Sequence, residues 1–420
     1  MVSDQQQQQD PNDPNAVTRA TIPFEPKNDG NMQLEVAAPV LVKDSLSSYH
    51  TYPITGRDSN GPIECQRRFN MFYEFRQVLL IRFAGLYVPP VSPKQVTGKG
   101  NELTLLERQF FLDQFLKQCC KLKYIAQSNE LQVFLKTQVQ VEKELDKLKV
   151  RCKTHEHIDL LRACVAVNEN YEAHDLKTLE EDTSEFIRDQ QQLMVHLQSF
   201  LGNLAAMVPI KKAERDYYTH FSAFLEKYEE TKMRKSARQG ELAHVQLISG
   251  DQQEGLKHKL SEIGTSFQNP FIHISNWVKG EVLTLDALIK CVEQIQNIEA
   301  MKRKTIEAIK DTEDTIRKLN SGQFTFSGML KDDSGKKQLA LEKDKAKLEL
   351  EADVVNFDVI KKILTIYMAT VAIPDFQKNA KARYVIAMGN MCCSEVHNAS
   401  TIVTCWDAFK HLIDSYGIKY

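Results

Sequence analysis

From about residue 138 to its C-terminus the chain repeats apolar residues at steps of three and four with few interruptions. The rhythm appears at Leu193, Leu197, Phe200 and Leu204, and again at Tyr217, Phe221, Phe224 and Tyr228. It returns at Leu285, Leu288, Val292 and Ile295, and at Phe357, Ile360, Leu364, Tyr367 and Val371. That period puts the apolar residues on one side of a helix. Only Gly250 with Gly255, and the glycine- and serine-rich stretch 320–335, interrupt it. The intervals give three rods of roughly 65 to 80 residues, each ~100 Å long at ~1.5 Å per residue. Helices of that length must pack along one another, as in a coiled coil. Pro209, Pro270 and Pro374 fall inside these rods and are predicted to kink them. The scarcity of glycine, 17 in 420 residues, suits a largely helical chain.

The N-terminal quarter reads differently. Residues 1–30 are rich in Gln, Asn, Asp and Pro and are predicted to form a disordered tail. From Met32 the segments LEVAAPVLV, SYHTYPI and IECQRRF are β-rich and separated by turn chemistry, predicting a three-stranded antiparallel meander. Apolar residues at 72, 75, 79 and 83 predict a helix over 69–83. Pro89, Pro90 and Pro93 stiffen the loop that follows, and helices are predicted over 103–120 and about 130–135. The chain is therefore expected to hold an α+β domain over 31–137, a helical linker over 138–177 and an all-α three-helix coiled coil over 178–420.

Arg67 and Arg68 stand beside Phe69 at a strand end, Lys94 follows the proline turn, and Arg108 lies on the first turns of a helix. Cations and a flat apolar face on rigid elements suit a phosphorylated sugar ring. Strand alternation turns Arg67 to the face opposite Arg68, where a structural salt bridge is expected.

Arg67-Arg68-Phe69, the Pro89-Pro90-x-x-x-Lys94 loop and Glu107-Arg108-x-x-x-Leu112, in that order and spacing, resemble the PX (phox-homology) domain. The resemblance implies that Arg68 grips the 3-phosphate of phosphatidylinositol 3-phosphate and that Phe69 stacks on the inositol ring. It further implies that Lys94 meets the 1-phosphate and that Arg108 bonds the ring hydroxyls at positions 4 and 5. The loop after Lys94 is expected to dip toward the bilayer, with Tyr87, Val88 and Val91 either inserting or packing on the helices. A kinked three-helix coiled coil resembles the BAR domain, and PX followed by BAR resembles the sorting nexin family. The implied protein is a cytoplasmic one, peripheral on endosomal membranes. It would form a homo- or heterodimer with a BAR-containing sorting nexin and sense or generate curvature in endosomal sorting and tubulation. The alternative is a PX-addressed coiled-coil scaffold or adaptor that bends no membrane.

Other classes fit poorly. A net charge of -2 with 26% charged residues argues against nucleic acid as a partner. The longest apolar run, about 363–373, falls short of the ~20 residues that span a bilayer, and MVSDQQQQQD lacks the basic-then-apolar pattern expected of a secretory leader. Nine cysteines without a CxxC pair are expected to be reduced thiols in the cytosol. No Ser-His-Asp set, glycine-rich phosphate loop or HExxH appears, so neither an enzyme nor a cofactor is expected. His155 and His157 near Cys152 complete no zinc spacing and are expected to be a solvated pair.

Lys211, Lys212, Arg215, Arg234, Lys235 and Arg238 are candidates for a positive membrane-facing surface, or else a solvated helix face. Lys302-Arg303-Lys304 is equally ambiguous. Phe324 and Phe326, in a hairpin loop, are candidates for membrane contact, tip-to-tip contact or folding back. The stripe Phe357, Ile360, Leu364 and Tyr367 is expected to need a second chain to cover it.

Overall fold

Three short β-rich segments become four strands: β1 (Gln33–Val36), β2 (Val40–Lys43), β3 (Ser48–Asp58) and β4 (Gly61–Arg68). The computed structural model describes residues 24–43, 48–92, 102–233, 247–248, 254–321 and 333–417, so most of the expected disordered tail lies outside the described residues. Strand β3 is central and antiparallel to all its neighbours, with β4 along one edge and β1 then β2 along the other. The first of the three expected strands is thus broken in two. Pro39 has no N–H to give, and pairing stops at Val36 and resumes at Val40, with the Ala37 N–H donating to Pro53 O at 2.9 Å. Gly56 is required on β3, since a Cβ there would lie 2.0 Å from Gln33 O.

Alternation buries Leu34, Val36, Tyr52, Ile54, Ile63 and Cys65 on one face of this sheet. Against it pack α1 (Phe69–Arg82), α2 (Glu102–Lys121), α3 (Lys123–Ala126) and α4 (Asn129–Lys136). Phe72, Phe75, Phe115 and Phe134 fill the space between, with Phe75 and Phe134 stacked at 4.5 Å. Ser128 caps α4, its Oγ accepting from the Leu131 N–H at 3.1 Å.

The remaining helices are α5 (Val141–Lys147), α6 (Thr154–Cys164), α7 (Ala173–Tyr228), α8 (Glu254–Ser266), α9 (Pro270–Asn320), α10 (Asp333–Tyr367) and α11 (Ile373–Ser415). The chain divides into two compact units, residues up to 190 with 283–375, and 191–282 with 376–420.

In the first unit the sheet domain and the long helices share a core. Gly85, at φ +86°, faces Leu364, and a Cβ there would fall 2.4 Å from Leu364 Cδ1. The Gly85 N–H donates to Gln294 Oε1 at 2.7 Å and the Tyr87 N–H to Tyr367 Oη at 3.4 Å. Phe357, Ile360, Leu364 and Tyr367 are all at most 7% exposed. This stripe is therefore covered by its own chain, not by a partner, because the turn at 84–87 and the residues of α6 and α9 lie on it. His157 is part of the same packing. Its Nε2 lies 3.0 Å from Ala84 O, and burial pushes its pKa down to about 4, so it is not one of a solvated pair. Thr154 Oγ1 donates to Asp353 Oδ1 at 2.5 Å and ties α6 to α10, while Lys361 on α10 pairs with Glu180 on α7 and Glu299 on α9, each at 3.0 Å. A π-helical turn, Met368–Ala372, precedes Pro374, whose missing N–H leaves a carbonyl one turn earlier without its helical donor.

In the second unit Pro270 opens α9 instead of kinking a rod. The break at 267–269 exposes backbone groups, and buried Asn398 on α11 satisfies two of them, accepting from the Gln268 N–H at 2.9 Å and donating to Gln268 O at 2.8 Å. One apolar cluster joins Leu260, Ile263, Phe267, Cys405 and Phe409, and another joins Leu204, Ile274, Val278 and Ala387. The helix over 173–232 also holds a window that is apolar and long enough to cross a bilayer by length and composition alone, although its apolar residues are interleaved with polar ones. That window is charge-free across 190–210. In the structure Leu197, Leu201 and Leu204 face the second cluster, while Val195, Phe200 and Ile210 are exposed. On α11, Val385, Gly389, Cys392, Val396, Ala399, Val403 and Trp406 alternate steps of four and three, and all are exposed.

Candidate functional site

Strand β4 runs straight into α1, and Arg68 is the residue between them, with extended backbone at φ -77° and ψ 154°. The first N–H groups of α1 have no intrahelical acceptor, no acidic side chain stands in its first turn, and none caps it. That is a ready place for an anion. The Arg68 side chain is exposed, and its guanidinium carbon sits 3.4 Å above the centroid of the Tyr49 ring. The register explains the contact. Thr51 lies opposite Arg68, so Tyr49 is the diagonal neighbour on the same face. No acidic side chain among the described residues pairs with Arg68.

Arg67 points the other way, as alternation requires, and is 2% exposed. It makes no salt bridge among the described residues. Its Nε donates to Phe134 O at 2.6 Å, Nη2 to Leu135 O at 3.0 Å and Thr137 O at 2.8 Å, and Nη1 to Gln66 O at 2.8 Å. The end of α4 presents carbonyls that have no intrahelical donor, and a buried guanidinium supplies several at once. The expected ion pair is replaced by a cage of carbonyls.

Arg108 lies half-buried on α2, its guanidinium 4.8 Å above the Phe69 ring. Helix α2 is held to β1 by two bonds to one residue: the Val36 N–H donates to Asp113 Oδ1 at 3.1 Å, and Gln109 Nε2 donates to Val36 O at 3.2 Å. Burial raises the Tyr52 hydroxyl pKa, and the nearby positive charge of Arg108 opposes that shift. The structure therefore places Arg108 on Phe69, next in the chain to Arg68. Phe69 is half-buried with Arg108 above it, so the ring is a shared platform and not a bare face.

Lys94 and the loop after it lie outside the described residues. The turn that leads to Lys94 is fixed from below, since Arg76 Nε donates to Pro89 O at 2.9 Å. Val88 and Val91 are buried, and Tyr87 Oη donates to Gln118 Oε1 at 3.2 Å, so these three pack against the helices.

Of the basic candidates on the long helices, Lys211 is drawn inward. It bridges Glu214 at 3.1 Å and Glu395 at 3.3 Å and lies over Phe267, which leaves little of its charge to project. Lys212 is exposed, and Arg215 pairs with Asp216 at 3.0 Å. Lys302 pairs with Asp358 at 2.6 Å, whereas Arg303 and Lys304 are exposed. Arg234, Lys235, Arg238, Phe324 and Phe326 lie outside the described residues. Tyr49 is the residue that motif reading passed over. It belongs to none of the three motifs, and only the pairing of β3 with β4 brings it to Arg68.

Residues 56–138 match the family model of the PX domain. This segment is a PX domain. The match runs from near the end of β3 past the end of α4 and includes Arg68, Phe69, Lys94 and Arg108. Among solved structures, the cryo-EM structure of the SNX-BAR Mvp1 tetramer is similar over 90% of this chain and 99% of that one, at 12% identity and a TM-score of 0.45, a likeness too loose to carry an argument. No curated protein matches the chain. Arg67, whose three bonds to carbonyls at the end of α4 close that helix onto the sheet, gives this PX domain its fixed frame, and Arg68 is left at its edge.

Proposed function

We propose that the chain is a sorting nexin of the PX-BAR type, which reads phosphatidylinositol 3-phosphate through Arg68, Phe69, Lys94 and Arg108. It docks on the endosomal surface as a dimer of BAR-type helices that senses or generates curvature. The observation that carries the head-group reading is Arg68 itself. It is an exposed arginine, stacked on Tyr49, paired with no acid among the described residues, and set at a helix N-terminus with Arg108 and Phe69 beside it. A planar fork with uncommitted donors suits a phosphate monoester.

Self-assembly has separate support. Val385, Val396, Val403 and Trp406 on α11 and Phe200, Ile210, Tyr217 and Phe224 on α7 are each at least 40% exposed. Apolar stripes of that length on helices call for another helix to cover them. A second BAR-type chain is the occupant this reading assigns, and joining two head-group sites would raise avidity by ~10²-fold or more without a new contact. Vesicle sedimentation of Arg68→Ala tests the head-group site. Light scattering of Val403→Glu, together with electron microscopy of vesicles for tubules, tests the assembly and the bending.

A further inference from the structure

We propose that Tyr49 is a positioning residue for the lipid phosphate: its ring holds the Arg68 guanidinium in place, so that the phosphate meets a preset fork. The proposal rests on the reading of Arg68 as the phosphate contact. An exposed arginine has large rotamer freedom, and a ligand that needs one geometry must pay for that loss. The two other arginines of this region are immobilised. Arg67 is fixed by four carbonyls, and Arg108 lies over Phe69 beside Tyr52. For Arg68 the restraint is Tyr49, 3.4 Å below it. A ring against the flat face of a guanidinium leaves the edge, where its N–H donors lie, open to a ligand.

Tyr49 is itself well placed to do this. It sits half-buried on the central strand, with Val42 of β2 opposite it. Its neighbour Thr51 faces Arg68 across the ladder and donates from Oγ1 to Gln66 Oε1 at 3.1 Å. The arginine therefore rests on a ring carried by a rigid strand. The contact uses the π face and not the hydroxyl, so phenylalanine should serve and leucine should not.

The test measures binding of the full chain to phosphatidylcholine–phosphatidylserine vesicles with and without phosphatidylinositol 3-phosphate. Tyr49→Phe should bind within twofold of the wild type. Tyr49→Leu should bind about three- to fivefold more weakly, the size of an exposed cation–π contact, with an unchanged melting midpoint. At low salt, where the Arg68→Ala chain keeps residual binding, adding Tyr49→Leu to it should cause no further loss. Tyr49→Trp, with a larger π face, keeps the test valid if the leucine variant folds poorly, and it should bind at least as well as the wild type. Wild-type binding by Tyr49→Leu, while Arg68→Ala loses binding, overturns the role of Tyr49 and leaves the Arg68 contact standing. A Tyr49→Leu loss that persists in full on the Arg68→Ala background overturns it too, since the ring would then act apart from Arg68. Normal binding by Arg68→Ala overturns the head-group reading and this proposal with it.

Discussion

Arg67 and Arg68 are adjacent, chemically identical and opposite in consequence, and Arg67→Met separates them. Methionine fills much of the same space but donates nothing. The substitution removes bonds to Phe134 O, Leu135 O, Thr137 O and Gln66 O, which span 2.6 to 3.0 Å. Hydrogen bonds from a charged donor contribute about 1.5–3 kcal/mol each, and buried carbonyls left without a donor add a desolvation cost. Against this stands the relief of no longer burying a cation, which is large. A net local loss of about 3 kcal/mol is the resulting expectation, or roughly 10²-fold in the opening equilibrium. The loss should be confined to the end of α4 and its contact with β4. The assay is amide hydrogen exchange on the full chain, following the amides of 133–137 and 65–67, since one global melting curve would mix two units. Arg67→Lys should recover little, because a single ammonium cannot span three carbonyls on the last turn of a helix. Exchange at 133–137 as slow as in the wild type would refute the carbonyl-cage account.

Three further outcomes follow from the packing. Gly85→Ala must adopt φ +86° and push a methyl into Leu364, so it should cost about 3 kcal/mol and speed exchange at 84–87 and 360–367 together; normal exchange there would contradict the close approach. His157 is held neutral with a pKa of about 4 against an ordinary 6.5, so its contribution is full above pH 6.5 and lost as pH falls toward 4, a span of about 3 kcal/mol. His157→Gln should flatten that part of the urea-midpoint profile, and an unchanged slope would place the acid sensitivity elsewhere. Leu364→Glu should lose helicity or aggregate because its stripe is buried in its own chain, whereas Val403→Glu should stay folded and lose self-association; circular dichroism with light scattering distinguishes the two, and a well-folded Leu364→Glu monomer would reverse the assignment.

What the sequence made legible follows the physics of each signal. Period-two alternation separates Arg67 from Arg68 without any structure, because adjacent strand residues must face opposite sides. It cannot say what meets Arg67, since the carbonyls at 134–137 lie nearly 70 residues away and main-chain acceptors leave no mark in composition. Tyr49 leaves no mark in the motifs for a related reason: its partner is set by strand register, not by spacing along the chain. Metal-ligand spacing says nothing of the burial of His157, because that burial is decided by the Ala84 turn folding over the ring. The stripe over 357–367 was found by its period, yet periodicity marks only that a face is covered. Its cover came from the turn at 84–87, some 280 residues earlier. Pro270 shows the converse, since proline reads as a kink inside a rod and as a start after a break, and the pattern alone does not choose.

The central claim is that an exposed arginine stacked on a strand tyrosine takes the lipid phosphate. Its most direct test is sedimentation of Arg68→Ala with vesicles that carry phosphatidylinositol 3-phosphate. Removing a charge-assisted contact of about 2 kcal/mol should weaken binding more than tenfold, while the melting curve stays as in the wild type. Sedimentation indistinguishable from the wild type would contradict the account.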